Sequence, residues 1–379
     1  MPLKGQIRKL TAAALRRSDA AARLYVSFQR LQRPSSQPLV FFFPGEMESG
    51  FSGDLRAIAI AHELRRMGWS AVIVPPRLDL ATRHAIIAAE PAAILYFQQS
   101  RHPLNDPQLY PGRACVFDAD DADILGEPER IGAMVKHSAH AIAGSEFLAE
   151  QFRPYNPNVT VIWTSTYIAE VPRITRPAPP IIAWAASNPF EYHAEAAFVL
   201  DLWKALAAEG VPFAVMIYTN DTARAQQWLA PLQPFGVPII IPPRMGYRQF
   251  VASLSGVAIG LQPVCTNFPF SRGKSFGKVL AYLAARVPVV ASDAVDHRLF
   301  FRSGENGLLV DTLPEWLAAC KRLLDNPADR DRLASAAHTD MLQRLTSKRA
   351  AQLLANVFQQ VATKSANAIS CATEGAITT

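Results

Sequence analysis

An α/β chain of two domains, each carrying a parallel sheet, is what the sequence predicts, and three observations carry the prediction. The 379 residues are room for two ordinary cores and too many for one. Short apolar runs such as Leu39 to Phe43 and Val257 to Gln262 stop at Pro44 and Pro263, as strands buried on both faces of a parallel sheet do. These runs alternate with stretches of helical periodicity, Leu55 to Met67 and Ala194 to Ala208 among them, and a proline-rich stretch from Val171 to Pro180 reads as a linker.

Composition removes several function classes. Half the residues are apolar, yet no uninterrupted run approaches the ~18 to 20 that a membrane-spanning helix needs. Cys115, Cys265, Cys320 and Cys371 stand far apart without metal-ligand spacing, which points to thiols in a reducing cytoplasm and to no metal site. The net charge of +6 is uneven. Residues 1–37 hold eight basic side chains (Lys4, Arg8, Lys9, Arg16, Arg17, Arg23, Arg30, Arg33) against Asp19 alone, leaving 30 basic against 31 acidic in the remainder. Without a basic excess in the body of the fold, nucleic acid is not an expected partner.

Residues 1–34 carry a helical stripe of Leu3, Ile7, Leu10, Ala14, Ala21, Leu24, Phe28 and Leu31, ringed by arginines and ended by Pro34. Three readings stay open: a helix resting on anionic lipid, which would make the protein peripheral at a membrane, an organelle-targeting peptide, or a solvated helix packed on the domain. The first domain is expected over 38–172. Its strand from Pro38 to Pro44 is followed by Gly45, Gly50 and Gly53, which lack dinucleotide-fingerprint spacing, so a nicotinamide enzyme is disfavoured. The strand from Arg113 to Phe117 runs into the acidic cluster of Asp118, Asp120, Asp121 and Asp123. Such acids suit either a site for hydroxyls or a helix start. The second domain is expected over 173–345, with a closing helix over 346–363 and a disordered tail over 364–379.

The densest signal is Ser271 to Asp293: a polar loop with Gly273 and Gly277, an amphipathic helix of about three turns, and a short strand opened by Pro288. It follows the strand ending at Pro263, and ligands of open α/β sheets bind beyond the carboxyl ends of strands. Glycines that admit close approach, a helix start, Lys274 and Lys278 make an anion site suited to a diphosphate.

From about Tyr247 to Phe358 the chain resembles the C-terminal half of the group 1 glycosyltransferases. The matching residues are Leu261-Gln262-Pro263, Gly273-Lys274-Ser275, Lys278 through Arg286-Val287-Pro288-Val289-Val290-Ala291-Ser292, Ser303 through Val310, Glu315-Trp316, and Leu323 to Pro327. The resemblance implies the retaining GT-B architecture, two Rossmann-like domains facing across a cleft, here preceded by the basic helix, with the closing helix over 346–363 crossing back to the first domain. It implies transfer from a nucleotide-diphosphate sugar to a glycan, lipid-linked or other hydroxyl acceptor, as in polysaccharide biosynthesis, with no cofactor beyond the donor. Lys274 is then the leaving-group cation. Arg244, Ser275, Phe276, Gly277, Lys278, Asn306 and Gly307 would bind the donor. Ser49, Gly50, Ser52, Gly53, Asp120 and His193 would line the acceptor side or the cleft, and Asp118 would serve as a base. The Asp118-Ala119-Asp120 pattern also allows the metal site of the GT-A architecture, a weaker fit because a second α/β half follows.

Two departures stand out. Where the family carries a pair of glutamates eight positions apart, this chain has Gly273 and Ala281, and where it carries a glycine before Pro288-Val289-Val290 there is Arg286. Neither Gly273 nor Ala281 has a side chain that accepts a hydrogen bond, so a non-catalytic nucleotide-sugar-binding or assembly subunit is the alternative.

Overall fold

The apolar runs form two six-stranded sheets, parallel throughout, in two separate units. The computed structural model describes residue 15 and residues 18–31, 38–172, 174–186, 189–274 and 276–377, with side chains followed to 364. The rest of the expected basic helix before residue 18, and Ser275, lie outside the described residues.

The first unit comprises residues 1–167 and 347–379. Its elements are α1 (Asp19–Leu31), β1 (Leu39–Phe43), α2 (Ala59–Arg66), β2 (Ser70–Ile73), α3 (Leu80–Ala88), β3 (Ile94–Gln98), β4 (Ala114–Ala119), α4 (Pro128–Lys136), β5 (His140–Ala143), α5 (Glu146–Phe152) and β6 (Val159–Val161). A π-turn, Gly53–Ile58, leads into α2. Strand order is β2-β1-β3-β4-β5-β6, so the chain turns one way after β1 and the other way to β3. That reversal leaves a crevice at the carboxyl ends of β1 and β3. All five residues of β1 are buried, because both sheet faces are covered. Leu39, Phe41 and Phe43 pack with Ala22 and Val26 of α1 on one face, while Val40 and Phe42 pack with Leu64 of α2 on the other.

The second unit, residues 168–346, contains β7 (Ile181–Trp184), α6 (His193–Ala208), β8 (Ala214–Ile217), α7 (Thr222–Leu229), β9 (Ile239–Ile240), α8 (Tyr247–Ser253), β10 (Val257–Gln262), α9 (Pro269–Arg272), α10 (Val279–Ala284), β11 (Val289–Ser292), α11 (His297–Phe300), β12 (Leu308–Val310), α12 (Leu313–Asp325) and α13 (Pro327–Arg344). Its order, β12-β11-β10-β7-β8-β9, puts the switch point between β7 and β10. The Tyr282 hydroxyl donates to Ala183 O at 2.9 Å and accepts from Ala185 N at 2.7 Å, fixing the end of β7. Its ring fills the space a side chain at Gly260 would need.

Three features differ from expectation. Helix α10 has six residues, all buried, where an amphipathic helix of about three turns was expected; it is a core helix crossing under the sheet. Arg286 takes φ +54°, the left-handed conformation that glycine adopts at least cost, which is the physical meaning of the glycine it replaces. The chain returns to the first unit with α14 (Ser347–Ile377), helical past Lys364 into the stretch expected as a disordered tail. Alanines recur along that stretch and favour helix.

Candidate functional site

Each switch point gathers polar groups of a different kind. In the second unit the chain leaves β7 through Phe190 to Tyr192 into α6, and leaves β10 through Cys265 and α9 to Lys274. Glu195, in the first turn of α6, is only 2 % exposed. Its Oε1 accepts from Ser271 Oγ at 2.8 Å, Cys265 N at 3.2 Å and Lys274 Nζ at 3.4 Å. The Lys274 ammonium also lies 3.6 Å from the centre of the Tyr192 ring, a cation–π contact. Burial would raise the Glu195 pKa, but the Lys274 charge and these hydrogen bonds outweigh it and hold it below the ordinary range. Glu195 is therefore ionised, and Lys274 is fixed by its charge, an aromatic face and the loop that carries it. Near Lys274, burial and the Glu195 charge push the Cys265 thiol up to about 11, against a smaller opposing effect of Lys274.

The other expected donor residues divide sharply. Lys278 caps α10 and is half-buried, with Gly277 beside it in open space. With six residues, α10 supplies little of the aligned dipole expected at its start. Phe276 is fully buried against Phe300, 5.5 Å between ring centres, and serves the core. Arg244 is exposed on the loop after β9, the edge strand, two strands from β7. Asn306 and Gly307 precede β12 and so stand at the amino end of the parallel sheet, opposite the switch-point crevice. Asn306 is fully buried, donating to Phe300 O and Asp340 and accepting from Arg302 N at 2.7 Å; Gly307 lies against the Phe301 ring. Both build a turn, a correction to the donor-binding role read from the sequence. His193 shares with Ala197 and Leu200 the face of α6 opposite Glu195. There it lines a groove of about 460 Å³ with Phe190, Arg224 and Trp228. The Arg224 guanidinium lies 4.6 Å over the Phe190 ring.

The first unit's switch point is acidic. Gly45 N donates to Gln98 Oε1 at 2.9 Å, Gly50 N to Asp54 at 2.8 Å, and Gly53 N to Glu46 at 2.5 Å. Ser52 Oγ donates to Asp120 at 2.9 Å, and Tyr167 OH joins Ser49 to Asp54. The glycine loop expected at the acceptor side or the cleft thus has the amides of Gly50 and Gly53 occupied by the chain's own carboxylates. Four acids there suit hydroxyls better than anions. Burial, with Asp120 and Glu48 nearby, raises the Glu46 pKa despite the Gly53 amide, and burial likewise raises that of Asp54. Asp118 is not a free base: it is fully buried and held by two hydrogen bonds from Arg56, which also donates to Ile162 O and Thr164 Oγ1. Burial would lower the Arg56 pKa, yet Asp118 more than offsets it and raises it. Among the described residues no group of three or more His, Cys, Asp or Glu stands ready for a metal ion.

Sequence reasoning passed over Glu195, Glu46, Asp54, Tyr167 and Arg56. The one available signal was Glu195 and Arg56 as single charges among the apolar positions of their helical stretches.

Residues 197–356 match a family described as glycosyl transferase-like. The solved structure of sucrose-phosphate synthase from Thermosynechococcus elongatus superposes with a TM-score of 0.67 at 11% identity, covering 86% of this chain and 99% of that one. The fold is that of the GT-B glycosyltransferases. A glycosyltransferase from Rickettsia africae matches this GT-B fold with a TM-score of 0.64 at 10% identity, over 86% and 99% of the two chains. HepE of Anabaena, in complex with UDP and glucose, gives 0.59 at 13% identity over 86% and 100%. No curated protein matches the chain by sequence. Among the described residues no helix is long and apolar enough to cross a membrane.

Proposed function

We propose that this GT-B chain is a glycosyltransferase moving a sugar from a nucleotide-diphosphate donor to a hydroxyl acceptor, a glycan or a lipid-linked one, with no cofactor beyond the donor. The observation that carries the reading is Lys274, held at the carboxyl end of β10 beside the switch point by Glu195 and Tyr192. Breaking the bond to a diphosphate concentrates negative charge on the leaving group, and a fixed cation stabilises that charge without reorganising. Before donor binds, Glu195 satisfies Lys274; a diphosphate, with more charge than one carboxylate, competes for the same ammonium. Lys278 is the second cation and Arg244 a third, reaching in from the edge. HepE, solved with UDP and glucose, supports a nucleoside diphosphate as the ligand class. On the acceptor side, Glu46, Ser52 and Asp120 offer acceptors and a donor for sugar hydroxyls.

Lys274→Ala is expected to lower kcat/KM by ~30- to 1000-fold, the effect of removing one preorganised charge-stabilising group. Unchanged turnover in that variant rules the role out. A thermal-shift series with nucleoside diphosphates checks the donor class, since a ligand of the native state raises its melting temperature.

The second reading, a nucleotide-sugar-binding subunit without turnover, is favoured by Gly273 and by Ala281, which is fully buried in α10 and offers nothing to a sugar. Diphosphate binding with no transfer and no donor hydrolysis across a panel of donors would select it.

A further inference from the structure

Helix α1 has two faces of opposite character. Ala22, Val26 and Gln29 are buried on the first sheet. Gln29 behaves there as an added strand residue: its Nε2 donates to Ile73 O at 2.9 Å and its Oε1 accepts from Ile73 N at 2.9 Å. Arg30 pairs with Glu90 at 2.9 Å and Arg23 donates to Thr82 Oγ1 at 2.8 Å. The helix is thus fastened to the domain along its length. Turned away from it, Leu24 is 70%, Phe28 59% and Leu31 85% exposed. Their spacing of four and three residues stacks them in one narrow stripe. Three large apolar side chains in a row on water are a liability unless something covers them.

Charge says what covers them. Residues 1–37 carry eight basic side chains against one acid, and the remaining chain is close to neutral, so the protein's positive charge is concentrated on this segment. A second copy of the chain would bring two such segments face to face and repel. An apolar stripe flanked along the chain by basic residues, here Lys4, Arg8, Lys9, Arg16 and Arg17 before it and Arg33 after it, is the pattern that enters the headgroup boundary of an anionic bilayer. We propose that α1 is a rigid membrane-docking edge of the first unit, with Leu24, Phe28 and Leu31 inserted among anionic lipids. Because α1 is already folded and pinned, docking fixes the orientation of that unit on the surface and needs no coil-to-helix transition. The inference stands apart from the sugar-transfer reading, since it concerns only where the protein rests.

The test is co-sedimentation of the full chain with vesicles of phosphatidylcholine alone and of equal parts phosphatidylcholine and phosphatidylglycerol. Binding is expected to the second only, weakened by raising salt, since screening shortens the reach of the basic side chains. The variant Leu24→Ser/Phe28→Ser/Leu31→Ser should bind about a hundredfold more weakly, the loss of three inserted side chains. Its melting temperature and its donor binding should be unchanged, because all three are exposed; Leu31→Ser alone, a milder change, should give a smaller loss in the same direction. Equal partition of the triple variant and the native chain overturns the proposal. So does a native chain that stays in the supernatant with both vesicles, or one whose stripe mediates a dimer seen in sedimentation velocity and abolished by the same substitutions.

Discussion

At Lys274 one ammonium meets a carboxylate at 3.4 Å and an aromatic face at 3.6 Å. Glu195→Gln keeps the shape of that arrangement and removes the charge. It should tighten nucleoside diphosphate binding severalfold, measured by calorimetric titration, because an anion competing for Lys274 is gone, and should cost about 1–3 kcal/mol of stability through weakened buried hydrogen bonds. Weaker binding in this variant would mean that Glu195 does not compete with the ligand. A larger effect is expected at Arg56. Its removal in Arg56→Met strands the fully buried Asp118, and breaking such a pair costs about 3–5 kcal/mol, readable in urea unfolding. The loop that carries Lys274 stood out in the sequence because it is polar, holds glycines and follows an apolar strand. Glu195 stood out less, since an acid in the first turn of a helix also reads as a favourable partner of the helix dipole and so hides its place on the apolar face. Asp118 was misread for a related reason: position at a strand end does not tell which way an acid turns, and the arginine that neutralises it lies 62 residues earlier in the chain.

Helices and strands were more legible than the turns between them. Runs such as Leu39 to Phe43 and Val289 to Ser292 are apolar at every position, and a strand covered on both faces has no other pattern. Helix α10 was harder: an amphipathic helix was expected, but every residue is buried, and the Tyr282 hydroxyl bonds the end of β7, so a polar atom sits inside the core with both partners in place. The π-turn that opens α2 gave no sequence signal, and it is what brings Gly53 N to Glu46. A methyl group added at Gly53 would stand 2.2 Å from the Glu46 carbonyl oxygen. Gly53→Ala is therefore expected to cost about 1–3 kcal/mol, the scale of an overpacked site, and to raise the acceptor KM more than it lowers kcat. A native melting temperature in this variant would show that the turn yields. At the end of α10, Arg286→Gly should gain about 0.5–1 kcal/mol by relieving a left-handed residue, net of the weak, half-exposed pair with Glu170.

The pH dependence of the whole molecule is the sum of several buried groups, two of them histidines. Burial lowers the pKa of His297 from 6.5 to about 4, despite an opposing hydrogen bond to Ser292 O, and lowers that of His140 to about 4 with Lys364 adding to it. A histidine whose folded pKa is depressed stabilises the fold above pH 6.5, and that contribution is lost as pH falls towards 4, because the unfolded chain takes the proton first. His297 alone accounts for about 3 kcal/mol between those limits. Glu195, held low, works in the same sense at still lower pH; Glu46 and Asp54, held high, oppose it. Urea unfolding across this range should show stability falling with acid, with a shallower slope in His297→Gln. Division into two units was legible from length and the proline-rich stretch; that the closing helix returns to the first came from the family resemblance and not from the pattern of its own residues, since α14 belongs with residues three hundred positions earlier. Phe358 of α14 packs edge-on against Phe42 of β1 at 5.9 Å, and Ala351, Leu354 and Val361 complete that face of the sheet. The second unit is continuous in the chain, and all of it leaves the ribosome before α14 does. Its partner must wait half-built, with one flank of its sheet bare, for the whole of that interval. The half begun first is therefore the one that cannot be completed until the end, and a helper that shields greasy surface during synthesis has its clearest target there.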